Sequence, residues 1–201
     1  MASAWLLVRR DGGGTGLAPG GTLGGSQAGA RLSHRLGGGV SLSARAYLPL
    51  RRPGEVEVAA GLAWRPAAAV AVDLLVERRQ ALRRHGRSAF ALSAQGGRSL
   101  ALAAGLRLDA YAQAGIVGLR SREPFVDGAA RLAAPVGAVE LGAAFWGAAQ
   151  PGASRLDAGP SLSWRLPVRG ANLRVAADWR FRIAGDAAPG SGLAVTLAAD
   201  F

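Results

Sequence analysis

Residues 171–201 read ANLRVAADWRFRIAGDAAPGSGLAVTLAADF, and the alternation in this stretch decides the fold. Every second residue from Leu173 is apolar: Leu173, Val175, Ala177, Trp179, Phe181 and Ile183. The residues between them, Asn172, Arg174, Ala176, Asp178, Arg180 and Arg182, are polar apart from one alanine. A repeat of two places successive side chains on opposite faces of a strand. One face therefore suits oil and the other water. Residues 185–191 are rich in Gly, Pro, Asp and Ser and predict a turn. The pattern then resumes, with Leu193, Val195, Leu197, Ala199 and Phe201 on one face and Ala194, Thr196, Ala198 and Asp200 on the other.

The remaining 170 residues follow the same rule. Alternating segments are predicted at residues 3–9, 27–36, 40–50, 55–64, 68–79, 87–95, within 100–117, and at 125–134, 138–149 and 154–166. In 40–50, for example, Val40, Leu42, Ala44, Ala46 and Leu48 oppose Ser41, Ser43, Arg45 and Tyr47. Segment 68–79 admits a second reading. Val70, Leu74 and Leu75 also fall at helical spacing among strong helix formers. With the last two segments this makes twelve strands, an even number. One set of connections is short: 37–39, 65–66, 95–99, 135–136 and 167–170. The other set, 10–26, 51–54, 80–86, 120–124, 150–153 and 184–191, is longer on average, and 10–26 is a glycine-rich loop.

Composition bounds the class. The chain has 201 residues, 50% of them hydrophobic, yet no apolar run approaches the length of a spanning helix, roughly 20 residues. Cysteine is absent, which excludes disulfides and Cys-ligated metal. All 24 basic residues are arginine and the formal net charge is +11. The arginines are distributed along the alternating segments and their connections, neither clustered on a helix nor interleaved with stacking aromatics, which argues against nucleic acid.

The final strand, apolar at Leu193, Val195, Leu197, Ala199 and Phe201, resembles the C-terminal signature of bacterial outer-membrane β-barrels. It departs from that signature at Ala199, where an aromatic is usual. The resemblance implies an all-β fold, a single antiparallel transmembrane barrel over 1–201 with about twelve strands in an up-and-down meander. It implies residence in the bacterial outer membrane, lipid bilayer around the wall, and reading of the last strand by the barrel-assembly machinery. The chain is similar in this to the C-terminal barrels of repeat-bearing polysaccharide-export and phage-receptor proteins. A soluble β-sandwich would use the same strands with the apolar face inward. Residues 1–10 lack the charge order and apolar length of a secretory signal, so the expectation is a start truncated at its N-terminal side.

Three sets of residues follow from these faces. Asp109, Arg131 and Glu140 are expected to form one charged row in the lumen. The row assumes that 135–136 is a two-residue turn and that the preceding turn is centred on 119–121. Arg45, Arg174, Arg180 and Arg182 add basic lumen positions. Arg51, Arg52, Arg83, Arg84, Arg87, Arg120 and Arg122 cluster on the longer loops, where lipopolysaccharide phosphates would lie. Trp64, Trp164 and Phe201 are placed for an aromatic girdle. Chemistry is sparse: His34 and His85 are the only histidines, no metal constellation is present, and no cofactor is implied. The functional expectation is a pore or export-type channel, not an enzyme. A non-conducting structural or surface-binding barrel, and after it an outer-membrane hydrolase, are the alternatives.

Overall fold

The structure, a computed structural model, describes residues 1–10, 17, 23–52, 55–67, 69–84 and 88–201. Its strands are β1 (Ala2–Arg9), β2 (Gln27–Gly37), β3 (Val40–Pro49), β4 (Glu57–Trp64), β5 (Val72–Ala81) and β6 (Ala89–Ala101), followed by β7 (Arg107–Val117), β8 (Glu123–Val136), β9 (Val139–Gln150), β10 (Ala153–Val168), β11 (Ala171–Gly185) and β12 (Gly192–Asp200). Each pairs antiparallel with its neighbours in sequence, and β1 pairs with β12 to close the barrel. Closure leaves no strand edge and satisfies the backbone within the wall, as a bilayer requires.

The distribution of side chains separates a membrane barrel from a sandwich. Leu32, Phe181 and Ile183 are 59%, 53% and 59% exposed, whereas Glu77 and Asp157 are 1% and 0% exposed. Apolar residues clothe the outside and charged residues fill the inside. This is an inverted protein, stable only where the surrounding solvent is apolar. Its fold and exterior are those of an outer-membrane β-barrel, with lipid bilayer around the wall.

Segment 72–81 is a strand and not a helix, because only alternation puts Leu75, Glu77 and Arg79 inside while Leu74 and Val76 face out. Three connections differ from expectation. The strand expected over 68–79 starts at Val72, so the connection after β4 spans 65–71 and not 65–66. β6 continues through residues 95–99, and the chain turns at 102–106 around a short 3-10 helix, Ala103–Gly105. Gly96 and Gly97 serve close packing instead of a turn: a Cβ on Gly96 would strike the carbonyl of Ala71. The β8–β9 turn is Gly137-Ala138, after Val136 pairs with Val139, and not Pro135-Val136. Gly137 takes φ +62°, the left-handed conformation a tight hairpin needs. In β11 the ladder shifts between Asp157↔Arg182 and Leu156↔Ala184, leaving Ile183 as a bulge.

The topology puts both termini and the turns near 38–39, 65–71, 102–106, 137–138 and 169–170 at one end. The longer connections lie at the other, which is the extracellular end by the usual asymmetry of such barrels. At the terminal end Arg65 clamps Asp73 through two hydrogen bonds of 2.7 and 2.9 Å. Trp64, Trp164 and Phe201 face outward in that half.

Candidate functional site

The site is the lumen, and it has three levels. At the outer mouth Asp157 of β10 is wholly buried. It accepts hydrogen bonds from Arg155 Nε at 3.1 Å and Nη2 at 2.6 Å, and Arg9 Nη1 from β1 reaches it at 3.3 Å. A guanidinium carries five donors, so a carboxylate leaves several unspent. Here they take loop carbonyls. Arg155 Nη1 donates to Leu23 O at 2.9 Å and Ala187 O at 3.4 Å. Arg9 donates to Gly24 O at 3.3 Å and Gly190 O at 2.9 Å. Arg182 Nη1 donates to Asp186 O and Ala187 O at 3.3 and 3.1 Å. Leu17 is held by Arg79 Nη1 on its carbonyl and by the Gln150 amide oxygen on its N–H, both at 2.6 Å. It packs on Ala91, Val117 and Phe125. Leu17, Leu23 and Gly24 of the first outer loop, and Asp186, Ala187 and Gly190 of the last, are thus held at the mouth by arginines.

At the waist, Arg45 bridges Glu57 at 2.9 Å and Glu77 at 3.4 Å. Arg31 on β2 donates to Gln95 on β6 at 2.8 Å, four strands around the wall. Arg180 lies 4.2 Å over the ring of Trp146, with Asp178 3.5 Å away. Tyr111 and Gln113 both donate to Asp127, at 3.2 and 2.8 Å.

The inner vestibule holds the residues expected as a charged row. Asp109 stands opposite Arg131, but Arg131 stands opposite Ala144, and Glu140 opposite Pro135. The turn at Gly137-Ala138 moves Glu140 away from direct pairing with Arg131. Arg131 Nη1 still comes within 4.0 Å of Glu140 while its Nη2 donates to Ser163 at 2.6 Å. The residue joining the two carboxylates is Arg165 of β10. Its Nη2 donates to Asp109 at 2.7 Å and its Nε to Glu140 at 3.2 Å. Arg107 Nε adds a contact of 3.6 Å to Glu140.

Arg45 and Arg180 are buried inside the barrel; Arg174, opposite Arg165, also faces in; Arg182 belongs to the mouth. Arg51, Arg52, Arg83, Arg84, Arg120 and Arg122 are exposed at the extracellular end; Arg51 donates to Arg10 O at 2.7 Å and Arg52 contacts Glu55 at 3.4 Å. Arg87 and His85 lie outside the described residues. Leu193, Val195, Leu197 and Phe201 face outward, and Phe201 pairs its backbone with Ala2. His34 is exposed on the outer face, opposite Leu42. Among the described residues no cluster of His, Cys, Asp or Glu could hold a metal ion. Sequence reading missed Arg9, Arg155, Asp157 and Arg165; their only signal was membership of the polar face.

No family model matches the chain, and no curated protein matches it. Solved structures do. The chain is similar to the KdgM porin at 10% identity, with a TM-score of 0.51 over 100% of this chain and 99% of that one. It also aligns with the COG4313 outer membrane channel from Pseudomonas putida F1 at 11% identity, TM-score 0.45, over 98% of this chain and 92% of that one. The first of these shares with this chain a fold along its whole length, and with the apolar exterior and polar lumen it makes this chain a closed, twelve-stranded outer-membrane β-barrel.

Proposed function

We propose that the barrel is a narrow pore that favours small anions and is restricted at its outer mouth by its own first and last loops. The observation that carries this reading is the surplus of inward arginine over carboxylate. Arg31 and Arg174 face the lumen with no carboxylate at ion-pair distance among the described residues. Arg131 has Nε and Nη1 without a hydrogen-bond partner in that set. Guanidinium N–H groups lining a water-filled path lower the energy of an anion passing it and raise that of a cation. Two partners extend the reading: lipopolysaccharide phosphates on the arginines of the outer loops, and the assembly machinery on the last strand. A second reading, a non-conducting barrel, draws on the loops held in the mouth.

Planar-bilayer recording across a potassium chloride gradient tests the pore. Discrete openings with a reversal potential displaced toward that of chloride are expected. Arg174→Glu should move that potential toward the cation value, because it reverses one lumen charge. Absence of openings in both the wild type and a variant with released mouth loops would leave the non-conducting reading.

A further inference from the structure

The outer wall carries a feature that passage through the lumen does not use. A groove of about 730 Å³ crosses the lipid-facing side of β1–β5. Its floor is alanine: Ala4, Ala30, Ala44, Ala46 and Ala60. These fall in two adjacent cross-strand rows, Ala4–Ala30–Ala46–Val58–Gln80 and Leu32–Ala44–Ala60–Arg78. Four strand spacings separate β1 from β5, roughly 19 Å. On the inside of the same wall Arg31 reaches Gln95 across β3–β5.

At the extracellular end of the groove sit Arg78 and Gln80, both exposed on the outward face of β5. An arginine facing lipid is costly, by about 2–4 kcal/mol at mid-bilayer and less toward the interface. Arg98, the other arginine on an outward strand face, lies in the opposite half. Arg78 stacks on Phe90 with its guanidinium 5.1 Å from the ring centroid, which fixes its direction and leaves its N–H edge for an acceptor. Directly above, the loops after β3 and β5 expose Arg51, Arg52, Arg83 and Arg84.

We propose that this groove binds a bis-phosphorylated acylated glycolipid of the outer leaflet, lipid A. One acyl chain lies along the alanine floor toward Phe201. One phosphate is held by Arg78 and Gln80, and the second meets the loop arginines. An apolar channel of this volume lies within the range of ordinary ligand sites. Two phosphates match the two tiers of arginine better than the single phosphate of a phospholipid would. The site rests on the outer-membrane reading.

The protein folded in detergent micelles and titrated with purified lipid A tests it, with bound lipid counted by native mass spectrometry. One lipid A per barrel is expected. Arg78→Leu should weaken retention about tenfold, the loss of a charge-assisted contact, while leaving the barrel at least as stable. Ala46→Leu, which fills the floor, should weaken it similarly. Ala177→Leu on β11, outside the groove, should not. Unchanged retention in Arg78→Leu and Ala46→Leu overturns the site, as does equal retention of phosphatidylglycerol or a barrel dimer occupying the face. Failure of the wild type to form a heat-modifiable barrel in lipid would instead overturn the outer-membrane reading.

Discussion

Asp157→Asn is expected to raise single-channel conductance several-fold and to loosen the outer loops at residues 23–24 and 187–190. Asp157 is the one carboxylate on which Arg9 and Arg155 converge, at 3.3 and 2.6 Å, with no exposed surface. Without its charge, two buried guanidiniums face each other across an amide. Leaving a buried charge uncompensated costs about 3–5 kcal/mol. The cheapest relief is for both arginines to swing toward water. Their bonds to Leu23, Gly24, Ala187 and Gly190 carbonyls are then lost together. Those carbonyls hydrate readily, so residues 23–24 and 187–190 lose these anchors, while Arg182 still holds Asp186 and Ala187 and Arg79 and Gln150 still hold Leu17. The wall is untouched, because the strand ladder is made by backbone groups that Asp157 does not serve. The expected pattern is therefore larger openings, faster proteolysis at residues 23–26 and 186–191, and a barrel that still migrates as folded. Asp157→Glu should restore the wild-type conductance in part. Wild-type conductance and loop protection in Asp157→Asn would show that this carboxylate does not restrain the mouth.

Much of the barrel was legible in the sequence, because a wall one residue thick shows its two faces to two different solvents. Alternation then fixes both strand and face, as at Leu173 to Ile183. Connections were less legible. Pro135 suggested a turn, yet β8 runs past it. β7 has no partner for β8 beyond Ala133, so Pro135 pairs only with β9, an edge-like position where a missing N–H is tolerated. That two-residue change places Arg131 opposite Ala144 and gives Arg165 the part of joining Asp109 to Glu140. The mouth was illegible for another reason. Its bonds run from side chains to carbonyls of glycine-rich loops, and carbonyls carry no sequence signal. The groove depends on which alanines the register sets side by side, which alternation alone does not specify.

The two faces should differ sharply in their response to charge. Val195→Arg, between Val8 and Ala177 near the middle of the wall, is expected to cost about 2–4 kcal/mol of folding free energy in lipid vesicles. Val175→Arg, opposite Trp164 and Leu197, should approach that value. Leu42→Arg lies only two residues from the terminal end of β3, where the side chain can reach the interface, so about 0–1 kcal/mol is expected. Ser99→Arg introduces the same side chain on the inward face. Ser99 is exposed to the lumen and donates to Asp109, so a guanidinium there meets water and a carboxylate. Its cost should be small, and the added lumen charge should strengthen anion preference. The ordering Val195, Val175, Leu42, Ser99 separates two causes of loss. A general intolerance of bulk would penalise Ser99→Arg as much as Val195→Arg, whereas exclusion of charge from hydrocarbon grades the outer positions by depth and spares the inner one. Equilibrium denaturant titration of the four variants in the same vesicles distinguishes them, and equal losses at Val195 and Ser99 would contradict the assignment of faces.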